Sequence, residues 1–261
     1  MKPFLVITLI LAFTSCKKEE FNPELIKEFA ISSTTNGETY NIWVSLPEGY
    51  NQSASPYSTI YVLDAKENQE IVAKNSRDIS ADLNVQDVVV IGIGYGGPRD
   101  ADYTPTMTAT GKGKSEAFLN FIKNELIPKI ETDFKVGRER SNRTIIGHSY
   151  GGLFGAYAFT KQNQVFGNYL LLSPSLFYDR SVVLKYEQEQ RPELITRPQL
   201  VFIGAGSNEQ SLLPANDLLY QRLVKYYPLA KSKFNLINGK GHLSSKNQDI
   251  EDAITFYFNN R

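Results

Sequence analysis

Cysteine and histidine are nearly absent from this chain. One thiol, Cys16, leaves no pair for an internal disulfide, and two histidines, His148 and His242, are too few for a Cys/His zinc site, so no metal is expected. Net charge is absent too. The 28 Lys and Arg balance 28 Asp and Glu, which removes any overall pull toward nucleic acid or an anionic membrane. No apolar run is long enough to cross a bilayer, and there are no internal repeats or low-complexity tracts. The scarcity of histidine also narrows mechanism, because chemistry that needs an imidazole base has only these two to draw on.

What is present is a globular composition. The chain has 261 residues, 41% hydrophobic and 21% charged, enough for one large α/β domain or two small ones. It starts with Lys2, an apolar run over residues 4–13, and small residues that stop at Cys16, the pattern of a secretory signal rather than an anchor helix. This resembles a bacterial lipoprotein signal, with cleavage before Cys16, a diacylglyceryl group on its sulfur and an N-acyl chain, which together hold firmly where one chain alone holds only marginally. The chain then divides into a signal over 1–15, a lipid-anchored tether over 16–25 and a single domain over 26–261. The protein is expected in a Gram-negative cell envelope, lipid-anchored to the outer membrane. Lys18-Glu19-Glu20 resembles a surface-export signal.

Residues 26–33 and 39–46 alternate apolar and polar side chains around Asn36-Gly37, a hairpin pattern. Residues 58–63 (STIYVL) and 87–93 (DVVVIGI) read as buried parallel strands, with a helix from 64 toward 83 between them. A long loop follows over 94–114, and loops of that length are commonly functional. Residues 115–134 carry a helical apolar face, with Ser115 as its cap and a kink at Pro128. Strands over 169–172, 199–203 and 234–237 then alternate with helices over 182–190, over 212–226 and at the end of the chain. Such alternation implies a mostly parallel sheet covered by helices on both faces, with function at the carboxyl ends of its strands.

The most informative stretch is 142–159, NRTIIGHSYGGLFGAYAF. A bare G-x-S-x-G turns up by chance about once in ten chains this long. Here a short apolar strand leads into it and small residues at helical spacing follow, which is the setting of a nucleophile elbow with Ser149 at its tip. Gly147 and Gly151 flank a turn too tight for side chains. A serine hydroxyl needs a base, and His242, in the glycine-rich loop Gly239-Lys240-Gly241-His242, can be brought over it. His148 is less suitable, since adjacent residues cannot easily meet at a sharp turn. A carboxylate should orient the base, and Glu209 is the choice, with Asp217 and Asp179 as rivals. The order nucleophile, acid, base is that of the α/β-hydrolase fold. The oxyanion needs two backbone N–H donors, one from Tyr150 and one from Ala65 or Lys66 in the turn after the first buried strand.

Several further segments join these: YVLDA (61–65), R-x-x-D-Y-T-P (99–105), F-L-x-F-I-x-x-E-L-x-P-x-I (118–130), GHSYGG (147–152), SPSLFY (173–178), G-x-x-E (206–209) and the Gly-His at 241–242. Together they resemble the esterase D and enterochelin esterase-like group of α/β-hydrolases, which includes feruloyl and acetyl-xylan esterases. The resemblance implies Ser149, Glu209 and His242 as the triad, the Tyr150 and Lys66 N–H groups as the oxyanion hole, and no cofactor. Arg99, Tyr103 and Phe177 are candidate substrate contacts, and Arg99 could equally pair with Asp100 or Asp102 to hold the long loop. The expected activity is a serine esterase working through an acyl-enzyme on a siderophore ester or on an acyl or feruloyl ester of a glycan. The competing readings are a binding lipoprotein that kept the fold without the chemistry, and an acyltransferase using the same triad.

Overall fold

The computed structural model describes residues 25–261. Cys16, the signal and nearly all of the tether lie outside the described residues. The hairpin forms where the alternation and Asn-Gly place it. Strands β1 (Ile26–Ser32) and β2 (Thr39–Ser45) pair antiparallel, with Ile26 opposite Ser45. β2 pairs antiparallel with β4 (Val89–Ile93), which lies parallel to β3 (Thr59–Val62). Parallel pairing continues through β7 (Arg143–His148), β8 (Asn168–Leu172), β9 (Gln199–Gly206) and β10 (Ala230–Ile237), giving one eight-stranded sheet in the order β1-β2-β4-β3-β7-β8-β9-β10.

Successive residues of the central strands point to opposite faces, and both faces are dry. Ile60, Val62, Ile146, Leu170 and Phe202 pack on one side under α1 (Ala65–Asp82) and α8 (Lys246–Asn260). Tyr61, Ile145, Tyr169, Leu171 and Ile203 pack on the other, under α3 (Ser115–Phe121), α4 (Ile127–Asp133), α5 (Tyr150–Lys161), α6 (Tyr178–Leu194) and α7 (Leu213–Tyr226). This double burial is why these strands read as continuous apolar runs rather than alternating ones. β3 sits between β4 and β7, so the winding direction reverses between β3 and β7. Such a reversal opens a crevice at the strands' carboxyl ends.

Four local expectations are corrected. The loop over 94–114 carries a short helix, α2 (Arg99–Tyr103), and a small hairpin of β5 (Met107–Thr108) and β6 (Gly111–Lys112). The Tyr178 hydroxyl donates to the Thr106 carbonyl at 2.7 Å and so ties this excursion to α6. Pro128 does not sharply kink a single helix. A π-helical turn (Ile122–Leu126) precedes it, and Pro128 falls in the first turn of α4, where its missing N–H is harmless. Ser115 makes no cap; it is the first residue of α3, its hydroxyl buried without a partner. β10 is also longer than its apolar segment, since it is an edge strand whose Lys231 and Lys233 are solvated.

Candidate active site

Ser149 ends β7 and begins α5. Its backbone sits at φ 62°, ψ −116°, a positive-φ conformation that residues with a side chain rarely adopt, and it persists because hydrogen bonds on both sides hold it. The Ser149 N–H donates to the Leu172 carbonyl at 2.9 Å, and its carbonyl accepts from Leu153 N–H at 2.9 Å and Ser175 N–H at 3.2 Å. The reason for Gly147 is concrete. A Cβ there would lie 2.5 Å from the backbone carbonyl carbon of Gly151. At Gly151 the space is less tight: a Cβ there would lie 3.3 Å from Asp64 Oδ2 and 3.5 Å from Leu63 Cβ, so it would press on the turn after β3.

Ser149, His242 and Glu209 converge from three strand ends. Ser149 Oγ lies 2.9 Å from His242 Nε2, and His242 Nδ1 lies 2.7 Å from Glu209 Oε2. The loop carrying His242 is laced to the loop carrying Glu209. Asn208 N–H donates to the Lys240 carbonyl at 2.9 Å, and Gly239 N–H donates to Ser207 Oγ at 2.8 Å. Gly206 is needed there because a Cβ would sit 2.3 Å from the Lys240 oxygen. Glu209 is buried, and its second oxygen is saturated: Oε1 accepts from Gly206 N–H at 2.6 Å, Ser173 Oγ at 2.7 Å and Ser245 Oγ at 3.4 Å. Burial alone would raise its pKa. The hydrogen bonds from His242, Gly206 and Ser173 outweigh that and hold the carboxyl below the usual range, so it is an anion facing the imidazole.

His148 has a role that its sequence position does not suggest. Its ring lies against that of His242, centroids 4.5 Å apart and planes tilted by 38°, and its Nε2–H donates to the His242 carbonyl at 2.9 Å. Burial, reinforced by the His242 charge, depresses its pKa to about 4, so it is neutral near pH 7 and steadies the base from below. The rival acids are elsewhere. Asp217 accepts from Gln221 on the exposed side of α7, and Asp179 accepts from Thr106 Oγ1.

The turn after β3 abuts the elbow. Leu63 N–H donates to the Ile146 carbonyl at 3.1 Å, and Asp64 adopts φ 53°, ψ 53° to start α1. Glu67 and Asn68 N–H groups both reach the Asp64 carbonyl, whereas those of Ala65 and Lys66 make no backbone hydrogen bond among the described residues. The Tyr150 N–H, first in α5, is likewise unengaged. Two helix N-termini thus lie side by side at the crevice, a favourable place for developing negative charge. The Lys66 side chain turns away into a separate hollow beside Trp43, so only its backbone bears on the site.

Arg99 braces this turn, and its partner is neither Asp100 nor Asp102. Nε and Nη2 clasp Asp64 at 2.6 and 2.8 Å, and Nη2 also donates to the His148 carbonyl at 3.1 Å, joining the two turns. Tyr103 is not a substrate contact. It is 1% exposed, and its hydroxyl accepts the Asp64 N–H at 3.0 Å. Phe177 is half-exposed and lines a cleft of about 680 Å³ with Ser149, Tyr150, Ser175, Leu212 and His242. The residues missed from sequence are Ser173, Ser245 and His148. The first lay inside the SPSLFY segment, but its bond to Glu209 crosses two strands.

The family model described as "Putative esterase" matches residues 32–223. The chain belongs to that family. It is 30% identical over 256 residues to the ferri-bacillibactin esterase BesA of Bacillus subtilis, covering 87% of each chain. It is 28% identical over 184 residues to the siderophore triacetylfusarinine C esterase of Aspergillus fumigatus, covering 61% of this chain and 62% of that one. Among solved structures, the BES protein of Bacillus cereus superposes with a TM-score of 0.82 at 25% identity, covering 94% of this chain and 98% of its own. The siderophore hydrolase EstA of Aspergillus nidulans superposes with a TM-score of 0.80 at 21% identity, covering 92% and 97%, a likeness of fold. The fold is that of the α/β-hydrolases, and the family acts on esters.

Proposed function

We propose that this chain is a serine hydrolase of siderophore esters that works through an acyl-enzyme, held in the cell envelope by lipid on Cys16. The observation that carries the chemistry is the unbroken relay from Ser149 Oγ to His242 Nε2 and from His242 Nδ1 to Glu209 Oε2, at 2.9 and 2.7 Å. Ser149 Oγ attacks the ester carbonyl while His242 Nε2 takes its proton, and Glu209 stabilises the imidazolium. The tetrahedral oxyanion is received by the N–H of Tyr150 and that of Lys66 or Ala65. The carbonyl re-forms, the alcohol leaves with the proton from His242, and the acyl group stays on Ser149. Water then repeats the sequence and frees the acid. The substrate class is supported by the names of the relatives, two of which act on siderophore esters.

A fluorophosphonate probe should label the protein, and the label should vanish in Ser149→Ala. Absence of labelling in the folded chain favours the binding-lipoprotein reading. His242→Ala should lower kcat by at least ~10³. Across a panel of p-nitrophenyl esters, methyl ferulate, acetylated xylan and a tricatecholate siderophore ester, the siderophore should have the highest kcat/KM of the natural esters. A lower rank removes that substrate and leaves the esterase standing. Product analysis with an added sugar acceptor separates acyl transfer from hydrolysis. Palmitate labelling that is equal in Cys16→Ser would remove the lipid anchor.

A further inference from the structure

The catalytic cleft does not end at the triad. Phe177 and Ser211, which line it, also line a second hollow of about 390 Å³ in the seam between α6 and α7. Gln188, Leu218 and Arg222 carry that hollow on into a third of about 300 Å³. The ionised side chains along these two hollows have one sign. Arg180, Lys185, Arg191, Arg222 and Lys225 line them, and no Asp or Glu side chain does. Arg191 and Arg222 are answered from beneath, since both pair with the buried Glu187, at 2.7 and 2.8 Å. One carboxylate against two guanidiniums still leaves a positive excess. Arg180 and Lys185, in the hollow that adjoins the cleft, are exposed and make no hydrogen bond or ion pair among the described residues, so their donors are free. Asp179, next to Arg180, is turned instead to Thr106 Oγ1.

The backbone that carries Arg180 is held in a costly form. Asp179, Arg180 and Ser181 lie in succession at φ 43°, 53° and 59°, a left-handed turn built from residues that all have side chains. Such conformations persist only where their surroundings hold them, and they gather at ligand-binding segments. Here Thr106 Oγ1 donates to Asp179 Oδ2 at 2.7 Å, and Ser181 N–H donates to the Phe177 carbonyl at 3.3 Å. The turn leaves Phe177, 49% exposed, at the junction of cleft and seam, with Arg180 in the hollow beyond it. An apolar face at the mouth, followed by cations with free donors, fits a ligand with an apolar body and anionic groups past it. We propose that the seam between α6 and α7 is a subsite for the anionic part of an extended ester substrate, whose body lies over Phe177 and whose acidic oxygens meet Arg180 and Lys185. This rests on the ester-hydrolase reading above and extends it from the bond that is cleaved to the charge of the group attached to it.

Two pairs of esters test it. Pyranine acetate, whose pyrene alcohol carries sulfonates, is compared with the acetate of unsulfonated hydroxypyrene. The hydrogen suberate of p-nitrophenol, with a carboxylate at the far end of its acyl chain, is compared with p-nitrophenyl octanoate. An exposed ion pair is worth up to about a factor of five. Arg180→Ala with Lys185→Ala should therefore raise KM about tenfold for the anionic member of at least one pair, with kcat kept and the neutral partner unmoved. The pair that responds tells whether the seam takes the alcohol or the acyl group. Arg180→Lys with Lys185→Arg keeps both charges and should restore KM, and added salt should narrow the gap between wild type and the alanine variant. Turnover of p-nitrophenyl acetate, which is too short to enter the seam, reports that each variant is folded. Unchanged KM for both anionic esters, or an equal rise for their neutral partners, overturns the proposal. Fluorescence titration with pyrene tetrasulfonate reads the same subsite without turnover, and its Kd should rise about tenfold in the alanine variant. That measurement separates failure of the subsite from failure of the esterase reading, since it needs no ester to be cleaved.

Discussion

Glu209→Gln should be a severe change although it removes only a charge. Glu209 Oε1 accepts from Gly206 N–H at 2.6 Å, a donor that cannot reverse, and from Ser173 at 2.7 Å. The amide oxygen of a glutamine must therefore occupy the Oε1 position, which puts its NH₂ group where Oε2 stands, 2.7 Å from His242 Nδ1. Facing a donor, Nδ1 has to accept, and the imidazole proton moves to Nε2. That nitrogen then points N–H at Ser149 Oγ across 2.9 Å and can no longer take its proton. The wrong tautomer in a triad lowers kcat by about 10⁴. Glu209→Ala also loses the charge but lets water satisfy Nδ1–H, so the near-isostere should be at least as damaging as the truncation. Steady-state hydrolysis of p-nitrophenyl acetate measures both, with thermal melting to show that each variant is folded. A glutamine variant that keeps more than a tenth of the wild-type kcat, or exceeds the alanine variant tenfold, would refute the assignment of Oε1 as the anchored oxygen.

Three further outcomes follow from the same contacts. Gly147→Ala puts a Cβ 2.5 Å from the Gly151 carbonyl carbon, backbone against backbone, and should destabilise by ~3 kcal/mol or more in urea unfolding; a loss under ~1 kcal/mol would mean the elbow can relax. Tyr103→Phe removes the acceptor for the buried Asp64 N–H and should cost ~1–3 kcal/mol with KM for small esters unchanged, whereas a raised KM at full stability would return Tyr103 to the substrate. Asp249 is fully buried against Gly204, and burial, then the Glu209 charge, raise its pKa from 3.8 to about 7. Between those values the unfolded chain has released a proton that the native state keeps, so the native state loses stability as pH rises through that window, by ~4 kcal/mol above it. Asp249→Asn should therefore gain on the wild type steadily from pH 4 to pH 7 and level off above it, and parallel stability curves across that window would be the contrary result.

Most of the sheet was legible because its strands are buried on both faces, and runs such as STIYVL and DVVVIGI carry that signal within a few residues. The hairpin was legible for the opposite reason, alternation about Asn36-Gly37. β10 was half-read because an edge strand solvates Lys231 and Lys233 and so loses the apolar run that marks a central one. The region 94–114 was read as loop because its order comes from outside it. Tyr178 holds the small hairpin, and Asp64 fixes Arg99. Pro128 was read by its usual effect, yet the π-helical turn before it absorbs that effect.

For the site, the legible part is whatever chemistry demands of a residue type at a strand end. Ser149, His242 and Glu209 could be named because a tight turn, a scarce imidazole and a carboxylate each leave a local trace. Their supports leave none. Ser173 and Ser245 are ordinary serines until β8 and α8 carry them to Glu209 Oε1. His148 looks like a competitor for the base until the fold shows it donating to the backbone of His242. Arg99 reads as a pocket cation, and the pairing that fixes it spans the chain from the first helix to the elbow. Each support satisfies a group that folding has already buried, and what it satisfies is known only once distant stretches meet.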